Sequence, residues 1–93
     1  MQLYSIDTLM SICDNNTIMK RELARKFGLR VKFERMKKDL TQEQLAELAG
    51  ISRATITKLE KNISSPTLDV VEDISRALGY KPNELFIFKD LEL

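Results

Sequence analysis

Arg53, Ala54, Thr57, Lys58 and Lys61 set short side chains among cations within a few turns of chain. A guanidinium can donate two parallel hydrogen bonds to O6 and N7 of guanine, and an alanine can meet a thymine methyl. A lysine ammonium reaches either a base or a phosphate. At about 100° per residue, Ala54, Thr57, Lys58 and Lys61 lie opposite Ile56, with Arg53 on the flank. No carboxylate shares that face, because Glu60 falls close to the core side. Such a helix suits the DNA major groove; the plainer alternative is a solvated helix of a small bundle.

Other chemistry has little material. The chain has no histidine and one cysteine, Cys13, which therefore has neither a base partner nor zinc-ligand companions. Its three glycines form no phosphate loop. No catalytic residue, metal or cofactor is expected.

Two short helices and a tight turn must position the basic face. Thr41 followed by Gln44 is a capping box. Leu45, Ala46 and Ala49 then share one helical face, and Gly50 stands where a helix end needs positive φ. Ser52 is placed to cap a second helix, whose Ile56 and Leu59 continue the buried stripe. Upstream, Ala24, Phe27 and Val31 make one apolar face of a helix, with Arg35 continuing it. Leu29, Phe33 and Met36 make another on roughly the opposite side. Gly28 either interrupts that helix or lies within it. Downstream, Leu68, Val71, Ile74 and Leu78 form a core stripe ending at Gly79; Thr67 and the Ser65-Pro66 pair are rival starts.

The residues Thr41-Gln42, Leu45-Ala46, Ala49-Gly50-Ile51-Ser52, Ile56 and Leu59-Glu60 closely resemble the helix-turn-helix of the lambdoid phage repressor and Cro family, also called the Xre family. The likeness extends from about Gly28 to Phe86. It takes in Val31 and Arg35, Pro66-Thr67-Leu68, Ile74, Ala77-Leu78-Gly79 and Glu84-Leu85-Phe86. The resemblance implies an all-α fold: a compact five-helix repressor-like domain, here with an N-terminal extension. It implies a phosphate contact for Gln42 and approach to bases and nearby phosphates by Ser52, Arg53, Ala54, Thr57 and Lys58. Asn62, Ser64 and Ser65 match a loop that touches the DNA backbone in relatives. Arg35 and Glu60 match a buried or half-buried ion pair, an architectural role. Relatives carry Ser, Thr or Asp where this chain has Lys81, and lysine cannot cap, which leaves the start of the fifth helix open.

Domain expectations follow: residues 1–27 an extension, helical and packed on the domain; 28–86 the helix-turn-helix domain; 87–93 an apolar tail and candidate dimer contact. That tail either extends the fifth helix or forms a short strand, and it packs on a second copy or on its own Phe33 and Met36.

The net charge of +1 conceals a segregation. Residues 20–61 carry twelve Lys/Arg against six Asp/Glu, whereas residues 62–93 carry three against six. A local basic face suffices for phosphate contact. No apolar run approaches ~18 residues and no leader pattern opens the chain, so a cytoplasmic location is expected. The function implied is a sequence-specific transcriptional regulator, a homodimer on a palindromic operator in double-stranded DNA. The alternative is an antitoxin or other interaction module that binds a protein partner such as a toxin, with DNA binding secondary.

Overall fold

The computed structural model describes residues 22–88. Four α-helices and a 3-10 turn follow in order: α1 (Glu22–Lys37), α2 (Gln42–Ala49), α3 (Arg53–Glu60), α4 (Leu68–Leu78) and the turn Pro82–Phe86. No strand occurs among the described residues. The short last element is a 3-10 turn rather than an α-helix. Lys81, at its N-cap position, offers no side-chain acceptor. Instead the Glu84 carboxylate reaches back to the Lys81 N–H at 2.7 Å, which holds a single turn.

Local chemistry sets the helix ends. Thr41 Oγ1 accepts from the Gln44 N–H at 3.0 Å, and Gln44 Oε1 accepts from the Thr41 N–H at 2.9 Å, satisfying two donors that would otherwise lack partners. Gly50, at φ 72°, closes α2 in the left-handed region. Ser52 Oγ caps α3 through the Thr55 N–H, and Thr67 Oγ1 caps α4 through the Val70 N–H. Thr67 rather than Ser65 is therefore the N-cap of α4, with Asp69 in its first turn at the positive end of the helix dipole.

The core gathers one face of every element: Phe27 and Val31 from α1, Leu45, Ala46 and Ala49 from α2, Ile56 and Leu59 from α3, Val71, Ile74 and Leu78 from α4, and Leu85 from the turn. The helix α1 runs through Gly28 without a break, so Glu22–Phe27 are its first turns and Phe27 is a core residue. Gly28 is instead a point of close approach. A Cβ there would lie 2.3 Å from the Leu59 carbonyl oxygen, so the backbones of α1 and α3 nearly touch.

A second tie is polar. Arg30 and Glu34, buried on α1, pair at 3.2 Å. The Tyr80 hydroxyl donates to Glu34 Oε2 at 2.7 Å, and Arg30 Nη1 donates to the Ile87 carbonyl at 2.5 Å. The chain after the turn is thereby held on the Phe27 side of α1, where Phe86 stacks on Phe27 at 5.0 Å and Phe88 meets Phe86 edge-on. Phe33 and Met36, on the opposite side, stay exposed. The expectations for residues 1–21 and 89–93 lie outside the described residues.

Candidate nucleic-acid interface

Helix α3 is amphipathic in the sense its sequence requires. Ile56 and Leu59 are buried, while Arg53, Ala54 and Lys58 are exposed, as is Lys61 just beyond. Glu60 turns inward, its side chain only 3% exposed. The outward face of α3 therefore combines small and cationic groups with no acid, and Ala54 leaves room for close approach of a base edge.

A chain of hydrogen bonds fixes how this helix sits. Arg35 grips Glu60 with a two-pronged pair, Nε to Oε2 at 2.8 Å and Nη2 to Oε1 at 3.1 Å. Its third nitrogen donates to the Leu40 carbonyl at 2.6 Å, just ahead of the α2 cap. Glu60 Oε1 also accepts from Gln42 Nε2 at 3.0 Å, and Gln42 Oε1 accepts from the Thr57 hydroxyl at 2.7 Å. Charge-assisted, bidentate pairs of this kind are geometrically demanding. They lock α1, the first turn of α2 and the last turns of α3 together.

Gln42 and Thr57 thus take part in an internal brace, and their side chains are half-buried. The sequence named both for DNA but did not reveal their bond to each other. Ser52 is likewise engaged, its hydroxyl capping α3 and lying 2.8 Å from Thr55 Oγ1. Asn62 adopts φ 56°, a left-handed conformation that asparagine tolerates, and its Oδ1 is buried. Ser64 is exposed in the loop that follows. Arg53 joins Thr41, Gln42, Glu43 and Arg35 around a shallow cleft at the N-terminal end of α2. That end carries the positive pole of the helix dipole, so the cleft suits an anionic oxygen.

The helix-turn-helix family model matches residues 31–85. The chain belongs to the helix-turn-helix family, of the Xre and Cro/C1 type. An HTH-type transcriptional regulator of Archaeoglobus fulgidus is 41% identical over 64 residues, which cover 69% of this chain and 90% of that one. The control protein C.BamHI of Bacillus amyloliquefaciens is 36% identical over 63 residues, 67% of this chain and 78% of its own. Among solved structures, the restriction-modification controller protein C.AhdI from Aeromonas hydrophila superposes with a TM-score of 0.64 at 34% identity, over 67% of this chain and 94% of that one. This helix-turn-helix protein is accordingly a transcriptional regulator, from a family of DNA-binding proteins rather than enzymes. No helix among its described residues is long and apolar enough to cross a membrane.

What sequence reasoning missed in this regulator is the pairing across elements. Arg30 and Glu34 stand one turn apart on the same side as Phe27 and Val31, a visible sign of a buried ion pair. The partners Tyr80 and Ile87 are 46 and 57 residues away and leave no local trace.

Proposed function

We propose that the chain is a controller-type regulator that binds a palindromic operator as a homodimer, with α3 in the major groove. The observation that carries this reading is the acid-free face of Arg53, Ala54, Lys58 and Lys61, braced from behind by Arg35, Glu60, Gln42 and Thr57. Arg53 reads a base edge, Ala54 lies against a base, and Lys58 reaches a base or phosphate. Gln42, Ser52, Thr57, Lys61, Asn62 and Ser64 border the phosphate track. The match to C.AhdI over 94% of that protein and to C.BamHI supports the controller reading.

One short helix spans too few base pairs for tight selective binding, so a second copy is needed, its helix ~34–36 Å away in the next groove. An apolar surface supports this assembly. Leu68 is 85% exposed and Ile87 50%. Leu68 borders a groove with Leu23, Ala24, Pro66 and Phe86. Residues 62–93 are net acidic and so poorly suited to face phosphates. Sedimentation and footprinting of the full chain test the reading. The expected results are a dimer that protects two half-sites, and a Leu68→Glu variant that sediments as a monomer at the same concentration. A parent chain that stays monomeric and protects one half-site contradicts it.

A further inference from the structure

The outer face of α1 carries a stripe unrelated to either the DNA-facing surface or the groove beside Leu68. Phe33 and Met36 are 43% and 57% exposed, and Leu29 lies on the same side of the helix. Lys32 and Lys37 are exposed on opposite edges of this stripe, with Lys37 Nζ 5.7 Å from the centre of the Phe33 ring. An apolar stripe between basic edges fits an amphipathic helix with an acidic edge.

The chain holds such a segment in its first residues. Leu3, Ile6, Met10 and Cys13 recur at three- and four-residue steps, so they fall on one side of a helix. Asp7 and Asp14 fall together along one edge of that stripe, and residues 1–19 contain no Lys or Arg. The turn formers Asp14-Asn15-Asn16-Thr17 come next, and the chain then enters α1 at Glu22. From Glu22 to Met36 the helix rises ~21 Å, and a helix over residues 1–13 is ~20 Å long at the same rise per residue. A reversal at the turn formers would lay one along the other.

We propose that the segment around Leu3–Cys13 docks as a helix, within the same chain, on the Leu29, Phe33 and Met36 face of α1, its Asp7 and Asp14 edge against a flanking lysine. The acidic edge assigns it here rather than to the groove beside Leu68, whose lining contains no Lys or Arg.

Cys13 is the sole cysteine and sits in the docking stripe, so its thiol reports on the contact in the full chain. The rate of modification by a soluble disulfide reagent is compared between native and urea-unfolded protein, across a range of protein concentrations. Protection of at least about tenfold is expected, independent of concentration. A Phe33→Asp, Met36→Asp double variant should lose most of it. Those two positions lie outside the core, and a parent-like helical circular dichroism spectrum confirms that the variant is folded. Three results overturn the proposal: native Cys13 reacting at the unfolded rate; protection that survives the double substitution; or protection that fades on dilution, which assigns the segment to a second copy.

Discussion

At the scale of single residues, the brace behind α3 and the clasp behind the C-terminal segment do different work. Arg35 satisfies two oxygens of a nearly buried carboxylate and one backbone carbonyl. Arg35→Ala leaves the nearly buried Glu60 carboxyl group without that partner, and breaking a buried pair costs about 3–5 kcal/mol. Against a total stability of about 5–15 kcal/mol for small domains, that loss is decisive, and the urea midpoint should fall sharply. An unchanged midpoint would show that the pair contributes nothing net. Tyr80 is milder. Its hydrogen bond to Glu34, with burial second, raises the phenol above its ordinary value. The folded state thus favours the protonated phenol, so its contribution is complete below about pH 10, the ordinary tyrosine value, and is lost as pH rises through the raised one. Tyr80→Phe should remove about 1–3 kcal/mol near neutrality, since it deprives a buried carboxylate of a donor. The gap from the parent should narrow in alkali. A gap constant from pH 7 to beyond the tyrosine range would refute that role.

At the scale of elements, the crossing of α1 and α3 rests on the absence of one methyl group. Gly28→Ala would gain about 1 kcal/mol in helix propensity. It would also drive a Cβ into the Leu59 carbonyl oxygen, and overpacking of this kind costs about 1–3 kcal/mol where the obstacle cannot move aside. Backbone oxygen cannot swing away as a flexible side chain can, so a net loss of stability is expected in denaturant titration. A stabilised variant would mean that the two helices separate easily. The same glycine shows what sequence can and cannot convey. Thr41, Gln44, Gly50, Ser52, Thr67 and Gly79 were legible because each acts on backbone within a turn of itself. The core stripes were legible because periodicity is local too. Gly28 left its meaning open, because its reason is a carbonyl on another helix. The basic face of α3 was legible from spacing and charge, whereas the Gln42–Thr57 bond that braces it joins two helices.

At the scale of the molecule, the parts converge on one arrangement. A core drawn from every element holds α2 and α3 at a fixed angle, and the polar brace sets the last turns of α3 against α1 and α2. This presents Arg53, Ala54 and Lys58 outward, on a regulator of the helix-turn-helix family. On the proposed function, this face reads bases rather than merely attracting phosphates. Phosphate contacts weaken binding uniformly when removed, whereas base contacts change which sequence is preferred. The direct measurement is the affinity of the parent and of Arg53→Ala for the DNA upstream of the protein's own coding sequence, and for a panel in which each operator base pair is substituted in turn, with excess competitor DNA present. The parent is expected to retain the upstream DNA selectively. Arg53→Ala is expected to weaken binding by about 1–3 kcal/mol and to flatten the preference at one position in each half-site. An equal loss of affinity for every operator variant, or a parent that holds the upstream DNA no better than competitor, would contradict it.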